Sequence, residues 1–118
     1  MIELSHKKME VWKFSVELVK EIYLLTRDFP NNEIYGLISQ LRRAAISIPS
    51  NLSEGLSRNS SKEKARYIDI ARSSLVELDT QIEIAIMLEY CSEKSIERIG
   101  ELSNSTFGML TSLLKKYQ

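Results

Sequence analysis

The sequence predicts an all-α protein: an antiparallel up-and-down four-helix bundle in one domain, residues 1–118, with the second helix kinked at Pro49. Three observations predict it. Apolar residues recur at three- and four-residue spacing through four long segments, the pattern of helices with one buried face. Only four glycines and two prolines punctuate the chain. The gaps between the periodic segments are short, which places consecutive helices side by side in opposite directions.

The first helix is expected from about Met9 to Arg27, after a lead-in expected to be mobile that carries His6, Lys7 and Lys8. Trp12, Val16, Val19, Tyr23 and Thr26 form its stripe, widened by Val11, Leu18, Ile22 and Leu25, with Lys13, Glu17, Lys20 and Glu21 on the wet face. Trp12 is expected to be a core or interface anchor, because its large apolar area needs cover. Phe29-Pro30-Asn31-Asn32 stops the helix. Pro30 disfavours a helical residue before it, and Asn31 or Asn32 can cap the next helix. Glu33 then lies near the positive end of that helix's dipole.

The second helix is expected from about Glu33 to Leu56, with Ile34, Leu37, Ile38, Leu41, Ala44, Ala45, Ile48 and Leu52 on its apolar face. Pro49 has no N–H, and its ring crowds the carbonyl of Ala45. In a straight helix interior that costs ~3 kcal/mol. A kink follows, with Ser47, Ser50 or Ser53 taking up freed backbone groups. Gly36 and Gly55 remove bulk where a neighbouring helix can pass close.

A polar run after Gly55 forms a loop, and Ser60 followed by Glu63 matches a capping box. The third helix is expected from Ser61 to about Tyr90, with Tyr67, Ala71, Ser74, Leu75, Leu78, Ile82, Ala85 and Leu88 as its stripe. Ile68, Ile70, Val76, Ile84, Ile86 and Met87 lie off that stripe, and from Ile82 to Leu88 only Glu83 is polar. That is more apolar perimeter than a surface helix needs. Either this end is central in the bundle or a second face meets another subunit. Trp12, Ile68, Ile84, Ile86 and Met87 are the candidates for a self-association surface. The fourth helix is expected from about Glu93 to Tyr117, capped by Ser92 with Ser95, and carries Ile96, Ile99, Leu102, Thr106, Met109 or Leu110, Leu113 and Tyr117 on its stripe. Lys115 and Lys116 suit the negative end of its dipole.

Lysines and arginines equal aspartates and glutamates at 16 each, so the formal charge is zero. A dedicated nucleic-acid binder shows a basic excess, and only a local basic face remains open. The single Cys91 makes no internal disulfide and fits a reducing cytoplasm. No apolar run approaches the ~20 residues of a membrane span. The N-terminus lacks the basic-then-apolar order of a secretion signal. A cytoplasmic protein without membrane contact is expected.

Two constellations stand out. Arg43, Ser47, Asn51 and Glu54 fall along one side of the second helix. They are expected as a structural network, with Arg43 paired to Glu54 or Glu77 and Asn51 serving backbone opened by Pro49, since buried polar groups need partners. A ligand or RNA contact is the alternative. Arg58, Lys62, Lys64 and Arg66 place four positive charges in nine residues, opposed only by Glu63. A solvated face is the plain account. The functional one is a phosphate-facing patch assisted by helix N-terminal amides, with Lys7, Lys8 and Arg42 as helpers. Only Tyr67 offers a stacking ring there, so single-strand base stacking is poorly supported. Catalysis has little to work with. His6 is the only histidine, no Glu-x-x-His pair occurs, and Glu77 and Asp79 diverge on a helix. Glycine-rich phosphate loops and nucleophile elbows are absent. No enzyme, cofactor, metal or small-molecule substrate is expected.

The run Tyr35-Gly36-Leu37, Ser39-Gln40-Leu41-Arg42-Arg43-Ala44-Ala45, Ser47-Ile48-Pro49-Ser50-Asn51 and Ser53-Glu54-Gly55 resembles the four-helix-bundle proteins encoded in intervening sequences of bacterial 23S ribosomal RNA genes. Leu25-Thr26, Phe29-Pro30, Ile70 to Leu75, Glu77-Leu78 and Thr80-Gln81 agree with it, so the resemblance covers nearly the whole chain. Arg72 and Ser73 depart from it, where small residues are expected. The resemblance implies a homopentameric ring and, for most members, no established biochemical role. A related accessory protein of diversity-generating retroelements binds a reverse transcriptase and nucleic acid, but it is strongly basic where this chain is neutral. The sequence therefore supports a homo-oligomeric interaction or scaffold protein. The alternative is an accessory protein that binds RNA or DNA.

Overall fold

The computed structural model describes Met1–Gln118. It is all-helical: α1 (Glu10–Thr26), α2 (Leu37–Leu56), α3 (Ser61–Met87) and α4 (Glu97–Tyr117), with 3₁₀ turns at Ser5–Lys8, Asn31–Glu33 and Lys94–Ile96. Each helix packs on its neighbours in the circuit α1, α2, α3, α4, with the broadest contact between α2 and α3. Thus α1 lies across the bundle from α3, and α2 across from α4. Gln40 meets Gln81 and Ser47 meets Ser74, while Gly55 faces Tyr67, so residue numbers rise along α2 as they fall along α3. The 27 residues of α3 rise about 40 Å, which sets the 43 Å long dimension of the molecule.

Leu18, Ile22, Leu41, Ile48, Leu52, Ile68, Leu78 and Leu110 are the large apolar side chains at the centre of the core, each removed from solvent. On α1 the buried line is Val11, Ser15, Leu18, Ile22 and Thr26. The expected stripe is therefore rotated: Val16 and Tyr23 face outward, and Val11, Leu18 and Ile22, expected only to widen the stripe, form the core. On α3 the correction is similar. Ile68 and Gln81 are buried, whereas Leu88 lies outside the helix and is exposed.

Helix ends differ from expectation for local reasons. α2 begins at Leu37, four residues later than predicted, because Asn31–Glu33 closes a 3₁₀ turn first. Ile34 is exposed and Tyr35 almost completely so. Glu33 caps α2 through its side chain, Oε1 accepting from the Leu37 N–H at 3.2 Å. A Cβ at Gly36 would meet that same Oε1 at 2.5 Å, so Gly36 makes room for a cap and not for a passing helix. α2 then continues through Pro49 to Leu56. Gly55 does meet a neighbour: a Cβ there would lie 2.8 Å from Tyr67 Cβ and 3.2 Å from the Lys64 carbonyl of α3.

Ser60 caps α3, its hydroxyl accepting from the Glu63 N–H. The helix stops at Met87 because Glu89 adopts φ 63° and turns the chain. Tyr90 N–H then reaches back to Ala85 O, and Glu89 N–H to Ile86 O, which satisfies two terminal carbonyls. Ser92 and Ser95 exchange side-chain to backbone bonds as a reciprocal cap, but a 3₁₀ turn follows them and α4 starts only at Glu97. The N-terminal lead-in is packed, not loose. His6 is buried with its ring 6.4 Å from Trp12. Burial, and secondly the charge of Lys7, lowers the His6 pKa.

Candidate functional site

The basic segment at the α2–α3 loop is largely engaged by its own neighbours. Arg58 donates to Glu54 Oε1 at 2.9 Å and to the Tyr67 hydroxyl at 3.0 Å, and Arg66 donates to Glu63 Oε2 at 3.0 Å. Both guanidiniums lie over the Tyr67 ring, at 5.0 and 4.4 Å. Tyr67 and then Glu54 raise the Arg58 pKa above its ordinary value, and the bond to Glu63 does the same for Arg66. Lys64 donates to the Leu56 carbonyl and faces the Tyr117 ring. Only Lys62 extends into solvent without a partner. The patch is therefore opposed by two carboxylates, not by Glu63 alone, because one turn of α2 brings Glu54 back beside Arg58.

The proposed helpers lie elsewhere. Lys7 donates to the Ile2 carbonyl within the lead-in. Arg42 is sixteen residues up α2 from Arg58, about 24 Å at helical rise. It belongs to a groove between α1 and α2 that is also lined by Lys20, Tyr23, Leu24 and Arg27. Arg42 Nε donates to Thr26 Oγ1 at 2.9 Å, and the guanidinium lies 4.4 Å over the Tyr23 ring.

Of the polar line on α2, the structure joins two members. Asn51 Nδ2 donates to both the carbonyl and the hydroxyl of Ser47, and Ser47 bonds Ser74 across to α3 at 2.8 Å. Ser74 already donates to the Ile70 carbonyl, so the chain of donors runs from Asn51 through Ser47 to Ser74. Asn51 thus serves the Ser47 carbonyl and not that of Ala45, which Pro49 leaves free. Arg43 is exposed and pairs with neither Glu54 nor Glu77. Glu54 is taken by Arg58, and Glu77 accepts from Gln81 at 3.1 Å.

The five candidates for self-association separate. Ile68 is fully enclosed by its own protomer and so is core. Trp12 is half-buried, with Nε1 donating to Ser53 Oγ at 3.0 Å, and Ile86 is half-buried against the core. Ile84 is 41% exposed and Met87 81% exposed. Val76 and Leu88 share the exposure of that α3 surface. Sequence reasoning set Val16 and Tyr23 on the buried stripe of α1 and gave Leu24 no place, whereas all three lie on its outside. The signal lay in the helix itself: Lys20 and Arg27 share a surface with Tyr23 and Leu24, which marks that surface as wet.

A second groove runs between α3 and α4, a hollow of about 300 Å³ with Leu75, Ile82, Ile99 and Phe107 inside and Asp79 and Glu83 in its lining. Arg72, one of the two departures from the expected pattern, crosses to α4. Its Nε donates to Thr111 Oγ1 at 2.9 Å and its guanidinium lies 4.3 Å from the Phe107 ring.

Residues 7–112 match the family described as 23S rRNA-intervening sequence protein. The chain belongs to that family. Among solved structures, this 23S rRNA-intervening sequence family member is similar to a protein of unknown function from the S23 ribosomal protein family of Bacteroides thetaiotaomicron VPI-5482. The TM-score is 0.79 at 23% identity, over 89% of this chain and 98% of that one. At that identity the likeness shows a shared fold. No curated protein sequence matches the chain. No helix of this family member is long and apolar enough to cross a membrane.

Proposed function

We propose that this protein is a non-catalytic scaffold that works by self-association. The observation that carries the reading is the outer surface of α3, where Val76, Ile84 and Met87, with Leu88 just beyond the helix end, remain exposed after the bundle has closed, Met87 at 81%. Apolar surface gathered on one side of a helix is what a partner covers. The family resemblance implies five copies. The lone Cys91 makes no disulfide within the chain, which suits a reducing cytoplasm. Nucleic-acid binding through Arg58, Lys62, Lys64 and Arg66 has less support, since Glu54, Glu63 and the Leu56 carbonyl already engage three of the four.

Light scattering tests the reading. The protomer is 13.6 kDa, so five copies would scatter as a species of about 68 kDa. A particle of protomer mass at tens of micromolar would reject self-association.

A further inference from the structure

We propose that the basic groove between α1 and α2 docks onto the acidic groove between α3 and α4 of a second copy of this chain. The pairing rests on the self-association proposed above and assigns it two faces. The α1/α2 groove is lined by Lys20, Arg27 and Arg42 with no carboxylate among them. Tyr23 and Leu24 line it with them, each a little more than a third exposed. The α3/α4 groove has the opposite character: Asp79 and Glu83 line a hollow of about 300 Å³ floored by Leu75, Ile82, Ile99 and Phe107, and the one guanidinium near it, that of Arg72, is held on the Phe107 ring and Thr111.

The charged groups on both sides are uncommitted. Asp79 and Glu83 form no ion pair within the protomer, and neither does Arg27. Lys20 has only Glu17, 4.0 Å away on the same exposed helix surface, a pair of small worth. Arg42 is held in place by its Nε bond to Thr26 and its stack on Tyr23, while both Nη groups remain free to donate. A guanidinium fixed in advance loses little freedom when it meets a carboxylate.

Because α1 neighbours α2 and α3 neighbours α4 around the circuit, the two grooves lie on opposite sides of the bundle. Each copy can therefore use its basic side on one neighbour and its acidic side on the next. Such a contact is heterologous and propagates around a closed ring or along a filament; it does not make a two-fold dimer.

Charge reversal tests this by sedimentation velocity, with helical circular dichroism checked against the parent. Lys20→Glu with Arg27→Glu makes both grooves acidic, and Asp79→Lys with Glu83→Lys makes both basic. All four side chains are exposed. Each double variant is expected to weaken association on the order of a hundredfold or more, from like charges brought face to face. The quadruple variant in one chain is expected to regain assembly, and an equimolar mixture of the two doubles to associate in strict alternation, which a ring of odd number cannot close. Doubles that assemble as the parent does, or a folded quadruple that stays monomeric, would overturn the pairing and leave self-association standing. A monomeric parent would overturn both.

Discussion

Single residues in this bundle show where polar groups are well placed and where they are not. Thr106 is fully buried on α4, and its hydroxyl has no hydrogen-bond partner. A buried unpaired hydroxyl costs about 1–3 kcal/mol. Thr106→Val keeps the shape and removes the orphan, so urea unfolding should show a gain of about 1 kcal/mol. A loss would mean that the hydroxyl has a partner in solution. Glu33 is the opposite case. Its carboxylate accepts from the Tyr90 hydroxyl at 2.7 Å and from the Leu37 N–H, joining the start of α2 to the α3–α4 turn. The Tyr90 bond first, and the Leu37 bond second, lower its pKa below the ordinary 4.5. The folded state therefore holds the ionised form more strongly than the unfolded chain does. Its contribution is complete well above pH 4.5 and is lost as pH falls through that value to the lowered folded one. Tyr90 is raised above the ordinary 10.0, chiefly by the same bond, so its contribution is present below pH 10 and lost as pH rises through the folded value. Glu33→Gln should flatten the acid limb of a stability–pH curve while leaving stability at the bottom of that limb unchanged. An acid limb as steep as the parent's would show that other carboxylates set it.

At the scale of elements, glycines report how closely helices approach. Gly55 lies where α2 meets α3, and an added Cβ would press on Tyr67 Cβ and the Lys64 carbonyl. Neither is the free end of a flexible side chain, so the backbones must move. Overpacking of that kind costs about 1–3 kcal/mol, which exceeds the gain of about 1 kcal/mol from replacing glycine in a helix. Gly100 and Gly108 on α4 have nothing within 4 Å of a Cβ. Gly55→Ala should therefore lower stability by about 1 kcal/mol, while Gly100→Ala and Gly108→Ala should each raise it by up to about 1 kcal/mol. Three equal effects in thermal unfolding would contradict the close approach. Four helices were legible in the sequence because their periodicity is long and their breakers few. The face of α1 was not, because Trp12, Val16, Val19 and Tyr23 keep three- and four-residue spacing as well as Val11, Ser15, Leu18 and Ile22 do. Apolar count favoured the first set, and only packing against α2 and α4 decided for the second. The early end of α3 was hidden for another reason: Glu89 takes a left-handed conformation that favours glycine, with no glycine there to announce it. His6 was misplaced because a short 3₁₀ turn leaves no periodic signal, although the turn carries its ring against Trp12.

For the whole molecule, the decisive question is what the closed bundle covers by itself. Ile68, Ile84 and Met87 look alike in sequence, all apolar and all off the expected stripe of α3. The fold separates them, enclosing Ile68 completely and leaving Ile84 and Met87 on the outside. The polar line on α2 was sorted by distance: Arg43 and Glu54 share a helical side but lie eleven residues apart on α2, about 16 Å at helical rise, so the loop delivered Arg58 to Glu54 and Arg43 stayed in solvent. These placements make opposite predictions for substitutions that look similar. Ile68→Ala leaves a cavity in the core and should cost about 2–5 kcal/mol in urea unfolding. Ile84→Ser combined with Met87→Ser removes one side chain that is 81% exposed, Met87, and one that is 41% exposed, Ile84, and should cost the dilute protomer no more than about 1–2 kcal/mol in all. In sedimentation at tens of micromolar, however, the double variant should run as a lighter species than the parent if this surface holds copies together. If instead it unfolds several kcal/mol more easily and sediments as the parent does, Ile84 and Met87 stabilise the protomer itself. The exposed side of α3 would then be no interface, and self-association would have to be carried by the two charged grooves alone.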